Sequence, residues 1–225
     1  MVKISLVLPC MNEEKTIGVC VEKAKQVFSE QKWIGEVIVV DNVSNDASAK
    51  IAKSKGAKVI EENEKGYGAS VLAGLSNVKG EYIFISDSDN TYDLLEMPKL
   101  LDELEENDII LGSRFMGEMK QDAMPWLHRY IGNPGLTMIF NLLFGTNYSD
   151  THTGFRVLKK NTLEKLDLSD KKFNLTLEML AKAKKFNLRV KEIPINYYSR
   201  IAPSKLNSFE HGFGHIIFMF REWLK

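Results

Sequence analysis

Three carboxylates, Asp87, Asp89 and Asp93, fall within seven residues in the segment FISDSDNTYD that runs from Phe84 to Asp93. An apolar run stops at Asp87, so acid collects where a buried strand should end. Asp87 and Asp89 stand two residues apart, and in a turn both can point the same way and hold Mg2+ or Mn2+. Hard oxygen ligands suit those ions, which keep positions open for the phosphate oxygens of a substrate. Other apolar runs end in polar groups too: VIVV in Asp41-Asn42, DIIL in Gly112-Ser-Arg114, and the first run in Pro9-Cys-Met-Asn-Glu13. Taken singly, Asp41, Asn42 and Asp46 read as turn formers or helix caps. Four strand ends together read as one functional edge.

A glycine-rich phosphate cradle is missing. No G-x-G-x-x-G follows the first run and no G-x-x-x-x-G-K-[ST] occurs. Gly66-Tyr-Gly68 has only the first half of such a pattern and is expected to shape the start of a helix. Without a cradle of backbone amides, a diphosphate here needs a metal. It also needs cations beside the carboxylates, and the candidates are Arg129 in LHRYIGN, Arg200 and Lys205, with Arg156 more distant. Arginine grips phosphate with two donors, whereas lysine supplies a point charge. His128, His152, His211 and His215 form no recognisable metal set. Glu178, a lone acid in LTLEML, reads as a structural pairing.

The elements that must position these groups alternate. ISLVLP, EVIVVD, AKVIEE, EYIFISD and DIILGS read as strands, separated by helical patterns at Glu14 to Gln31, Asp46 to Ser54, Tyr67 to Asn77 and Leu94 to Glu106. This spacing predicts an α/β fold, an open and mostly parallel Rossmann-like sheet with helices on both faces. VIVV, YIFI and DIIL are apolar throughout, as strands covered on both sides should be. In such a sheet ligands bind beyond the carboxyl ends of the strands, where strand order reverses. Further on, Trp126 to Phe144, Leu175 to Lys185 and Phe209 to Lys225 read as helices and RVKEIPINYY as a strand. Gly132-Asn-Pro134 is expected to break the first of these helices in two.

The chain has 225 residues, with 30 Lys+Arg against 30 Asp+Glu. A balanced charge argues against nucleic acid as a partner, since such domains carry a basic excess. Residues 1–225 are expected to form one domain, with a nucleotide half over about 1–115 and an acceptor half over about 116–225. Two cysteines, Cys10 and Cys20, make no disulfide framework, and the run MVKISLVLP is too short for a signal peptide. A reducing cytosolic setting follows, and the sequons at Asn147 and Asn174 are taken as chance.

LPCMNEEKTI, VVDNVSND, SDSDNTYD and GSRF, in this order, resemble family 2 glycosyltransferases of the glycosyltransferase A fold. DTHTGFR at Asp150 to Arg156 and YYSRIAPSKLNSF at Tyr197 to Phe209 resemble the branch of dolichyl-phosphate mannose and polyprenyl-phosphate glucose synthases. The resemblance implies that Pro9, Met11, Glu13, Asp41 and Asn42 line a base and ribose pocket. It implies that Asp87 and Asp89 are the D-x-D pair that meets ribose and metal, and that Arg114 lies near the sugar. Arg200, Ser204 and Lys205 match a late basic motif that contacts phosphates. Asn42 and Met11 depart from the usual pattern, where a second Asp and a Tyr are common. In many such enzymes transmembrane helices follow the region matching His215 to Lys225, where this sequence ends.

The activity implied is transfer of mannose or glucose, with inversion, from GDP-mannose or UDP-glucose to a polyprenyl or dolichyl phosphate. Asp89, Arg129, Arg200 and Lys205 would be catalytic, Arg129, Ser204 and Lys205 would hold the acceptor phosphate, and Mg2+ or Mn2+ would be the cofactor. Trp126 to Phe144 and the terminal helix carry more apolar surface than one core face needs, which predicts a peripheral platform on the cytoplasmic face of a membrane. Two other readings compete. A family 2 transferase acting on a saccharide hydroxyl would need a base, with Asp150 the first candidate; a non-catalytic subunit would bind donor without turnover. A sugar-phosphate nucleotidyltransferase lacks its glycine-rich loop here.

Overall fold

Strands of β-branched and apolar residues pair into one seven-stranded sheet in this computed structural model, which describes residues 3–201 and 208–225. They are β1 (Lys3–Cys10), β2 (Ile34–Asp41), β3 (Lys58–Glu61), β4 (Tyr82–Ile85), β5 (Ile109–Ser113), β6 (Arg156–Lys159) and β7 (Val190–Pro194). Their spatial order is β3-β2-β1-β4-β6-β5-β7. β6 runs antiparallel to both β4 and β5, and every other pairing is parallel. β1 lies between β2 and β4, so the chain reverses its direction of travel across the sheet there, and the crevice at the carboxyl ends of these strands is where a ligand fits.

The helices are α1 (Ile17–Glu30), α2 (Ser48–Ser54), α3 (Tyr67–Leu75), α4 (Met97–Asp102), α5 (Asn133–Phe144), α6 (Lys160–Leu166), α7 (Leu175–Lys185) and α8 (Ser208–Trp223). Successive strand residues face opposite sides. Leu6, Leu8, Val39, Phe84 and Val157 therefore join one core with Ile17, Val21 and Met97 of the helices on that side. Val7, Ile38, Val40, Ile83, Ile85 and Leu158 join the other, with Val71, Phe140, Leu177 and Met219. Burial on both faces is what their unbroken apolar sequence requires.

Two expectations change. The chain does not break at Gly132-Asn-Pro134: a π-helical turn over His128–Gly132 leads straight into α5. Pro134 lies in the first turn of α5, and the π-helical turn before it, closed by the Asn133 amide on the His128 carbonyl, is where the ladder accommodates its missing N–H. β6 and α6 were not anticipated. α5 and α8 pack on each other and leave Met138, Leu142, Ile217, Phe220 and Trp223 exposed, as are Trp126, Tyr130 and Ile131 just upstream. Among the described residues no helix is long and apolar enough to cross a membrane.

Candidate active site

The loop after β4 carries the acidic pair at the switch in strand order. Asp89 is buried, and its Oδ1 accepts from the Thr91 amide at 3.1 Å and the Thr91 hydroxyl at 2.6 Å. Its other oxygen stands 3.4 Å from the Arg200 Nε. Asp87 lies against Gly154, where an added Cβ would come within 2.8 Å of both carboxylate oxygens. Desolvation pushes the Asp87 carboxyl up to about 7, and the Asp89 charge adds to the shift against Arg114, Arg200 and Arg156. Asp93 belongs elsewhere: it caps the turn at Leu94–Glu96 and pairs with Lys23 at 3.0 Å.

Arg200 reaches the acidic loop from beyond β7. Its guanidinium also pairs with Glu13, a buried acid at the end of the β1 loop, so one cation bridges carboxylates from two strand ends. The expected meeting of cation and acid is therefore present at Arg200. Ser204 and Lys205 lie outside the described residues. Arg129 sits on the π-helical turn, its guanidinium 5.4 Å from the Tyr130 ring centroid, and makes no ion pair among the described residues.

Four polar residues near this edge are tied to their neighbours by hydrogen bonds. Arg114 is 7% exposed, and its Nε and Nη2 meet the two Asp150 oxygens at 2.7 and 2.8 Å. Asp150 is wholly buried and also accepts from the Arg114 amide at 3.2 Å. This doubly bonded pair ties the end of β5 to the Asp150–Gly154 loop. Arg156, expected as a distant phosphate contact or a solvated charge, is 1% exposed. It donates to the carbonyls of Thr151, Thr153 and Thr176 at 2.8–3.1 Å, which ties the Asp150–Gly154 loop to α7. Glu178 is structural as expected, accepting from the amides of Ser169 and Asp170 and pairing with Lys182.

On the β1 and β2 side, Asp41 has a buried Oδ1 with no partner among the described residues, an acceptor open to an incoming N–H or O–H. Asn42 spends both amide hydrogens on the carbonyls of Glu62 and Glu64 and accepts from the Gly66 amide at 2.9 Å. Its side chain ties the end of β2 to the β3–α3 loop. The Pro9 carbonyl accepts from the Ser88 hydroxyl at 2.6 Å, which joins the β1 end to the acidic loop, and Met11, two residues on, is half-buried. Gly66-Tyr-Gly68 opens α3 as expected, with the Gly68 and Ala69 amides capped by the carbonyls of Lys172 and Lys171. Those two amides are therefore spent and do not face a phosphate.

The sequence profile described as glycosyl transferase family 2 matches residues 5–167, from β1 to the end of α6. The chain belongs to glycosyltransferase family 2. Within this family, a low-salt glycan biosynthesis hexosyltransferase, Agl6, of Haloferax volcanii is 39% identical over 218 residues, covering 96% of this chain and 52% of its own. The chain thus spans about half the length of that relative. A dolichyl-phosphate hexose transferase of the same organism is 29% identical over 210 residues, covering 93% of this chain and 89% of its own.

Solved structures share the glycosyltransferase A fold. Mannosyl-3-phosphoglycerate synthase from Rubrobacter xylanophilus superposes with a TM-score of 0.78 at 18% identity, over 99% of this chain and 74% of that one. Glucosyl-3-phosphoglycerate synthase from Mycobacterium tuberculosis, in complex with Mn2+, UDP and glucosyl-3-phosphoglycerate, gives 0.76 at 18% identity, over 99% and 80%.

The donor set of this family 2 site suits a divalent ion. Asp87 and Asp89 offer hard oxygens and repel each other, a repulsion that a bound cation relieves. Among the described residues no three acidic, histidine or cysteine side chains assemble into a cage. Two carboxylates plus substrate oxygens are the usual environment for Mg2+ at a phosphate site. Reading by residue type overlooked Gly154, whose missing side chain makes room for Asp87, and Tyr92, whose hydroxyl accepts from the Gly154 amide at 2.8 Å. Both sit inside quoted motifs, but nothing in a motif says that a glycine is there for a neighbour's carboxylate.

Proposed function

We propose that this chain is an inverting hexosyltransferase that moves mannose or glucose from a nucleotide diphosphate sugar onto a polyprenyl or dolichyl phosphate, with residues 1–225 as one catalytic domain. The observation that carries the acceptor class is the burial of Asp150 in its ion pair with Arg114. A sugar hydroxyl needs a base to lose its proton, and the first candidate for that base is locked away. A phosphate monoester has a second pKa of about 6 and arrives already ionised. The relative named dolichyl-phosphate hexose transferase supports the same acceptor.

The chemistry is a single in-line displacement. An acceptor phosphate oxygen forms the new bond to the anomeric carbon while the bond from that carbon to the diphosphate oxygen breaks. The nucleoside diphosphate leaves with the electron pair, and the configuration inverts. What a bound Mg2+ or Mn2+ supplies, held by Asp87 and Asp89, is neutralisation of charge on that leaving diphosphate. Asp41 and Glu13 bind the base and ribose side of the donor, with Pro9 and Met11 along the same edge. Arg200, which pairs with Glu13 and Asp89, contacts the phosphates, aided by Arg129, Ser204 and Lys205.

The lipid reaches the site from a bilayer surface. Trp126, Tyr130, Leu142, Ile217 and Trp223 give α5, α8 and the turn before α5 an exposed apolar face, and Arg129, Arg221 and Lys225 can meet anionic headgroups. We place this contact at the cytoplasmic leaflet. The test is turnover of UDP-glucose and GDP-mannose with Mn2+, with and without a polyprenyl phosphate, for wild type and Asp89→Ala. Release of one diphosphate that rises with the lipid and vanishes in the variant supports the reading. Donor binding without lipid-stimulated release refutes the acceptor, and failure to bind either donor refutes the whole.

A further inference from the structure

Val43 has the wrong side chain for its backbone. Its φ of 60° lies in the left-handed region, which a β-branched residue almost never adopts. The other described non-glycine residues with positive φ are Asn12, Asn90, Asn187, Asp122, Asp167 and Lys32. Asn and Asp tolerate this geometry because their short polar side chains bond locally. The fold gives valine no return for the strain: Val43 is 39% exposed and joins neither core.

The position is fixed from both sides. The Asn42 amide donates to the Cys10 carbonyl at 2.7 Å, the Asn12 amide to the Ser44 hydroxyl at 2.9 Å, and the Asn45 amide to the Asn12 side-chain oxygen at 2.7 Å. Val43 is thus held in the seam between the β1 and β2 loops, at the reversal of strand order. Two residues before it, at the end of β2, is Asp41 with its buried, unpartnered oxygen. Strained residues whose surroundings over-determine them cluster where ligands are clamped. An exposed isopropyl group two residues along the chain from an unsatisfied acceptor suits one kind of ligand: a flat ring with an apolar face and an N–H edge.

We propose that Val43 packs against the nucleobase of the donor and sets affinity for it. The inference rests on the donor assigned under Proposed function and adds a residue to it. Binding of UDP and of GDP, each with Mn2+, is measured by calorimetry on wild type, Val43→Gly and Val43→Asn, with Mn2+-pyrophosphate as a probe that has no base. Val43→Gly should melt about 2–4 °C higher because the strain is gone. Both variants should bind the better nucleotide about three- to tenfold more weakly. Pyrophosphate binding should stay unchanged. Equal nucleotide affinity in wild type and variants overturns the inference and leaves the donor reading intact, as does an equal loss for pyrophosphate. If wild type binds neither nucleotide, the donor reading fails and this inference falls with it.

Discussion

Replacing Gly154 by alanine should separate stability from metal-dependent function. A Cβ at 154 would stand 2.8 Å from both Asp87 oxygens and 2.9 Å from the carboxyl carbon, whereas ordinary contact begins at 3.4 Å. The carboxylate must retreat by the difference, about 0.6 Å. Gly154 does not use left-handed backbone, so alanine meets no penalty of its own there, and its amide can still donate to Tyr92. An aspartate side chain can move away at a cost of about 0.5–1.5 kcal/mol. For a chain of this size each kcal/mol corresponds to about 2–4 °C in melting temperature. The fold should therefore survive with a shift of a few degrees. Metal binding should not, because displacing one of two carboxylate ligands removes a charge-assisted contact of about 1.5–3 kcal/mol, or about tenfold to a hundredfold in affinity. Calorimetry of Mn2+ with the nucleoside diphosphate, beside a thermal melt, reads both quantities. Wild-type Mn2+ affinity in Gly154→Ala would refute the assignment of Asp87 as a ligand backed by this glycine.

Asp150→Ala leaves the Arg114 guanidinium buried without its partner, at about 3–5 kcal/mol, so a melt should show a loss of about 6–20 °C; a variant that melts like wild type yet transfers nothing would restore Asp150 as a base. Arg200→Ala should strengthen Mn2+ binding in the absence of nucleotide, since a competing cation leaves Asp89, while turnover falls; weaker Mn2+ binding on titration would show that Arg200 organises the pair. Burial acts to raise the Glu178 carboxyl, but the Asp170 amide, Lys182 and Ser169 together hold it below its ordinary value of 4.5. Its stabilisation is therefore present above pH 4.5 and is lost as pH falls below that value. Chemical denaturation between pH 6 and 3 should show a steeper loss in wild type than in Glu178→Gln, and parallel curves would contradict the shift.

How much of this could be read in advance depends on what each residue answers to. The strands β1, β2, β4 and β5 announced themselves because a strand buried on both faces has no polar alternation to confuse the reading. β6 did not: four residues, RVLK, begin with an arginine that is buried on backbone carbonyls and end in a lysine, so no apolar run marks them. The acidic pair was legible from its place at a strand end, and Arg200 from its loop. The pairing of Arg114 with Asp150 could not be read from either motif, because the two residues lie 36 positions apart. The bonds of Asn42 were hidden for the same reason, its amide reaching a loop that starts 20 residues later. Pro134 shows the converse, a local rule satisfied in an unexpected way, since a π-helical turn just before it absorbs the missing N–H without ending the helix.

The placement of β6 has a consequence for how the chain is made. β4 and β5 follow one another in sequence but are not bonded; the strand between them is drawn from residues 156–159. As the polypeptide emerges from the ribosome, the first four strands can pair while β5 waits with both edges bare. Only when residue 159 is out does a late antiparallel strand bridge the two parts, bringing with it the Asp150–Gly154 loop that backs Asp87. Such a long-range closure is slow and leaves sticky edges exposed meanwhile. A nascent fragment ending near residue 115 should depend on chaperones for its solubility, and the site should appear all at once, after the central gap is filled.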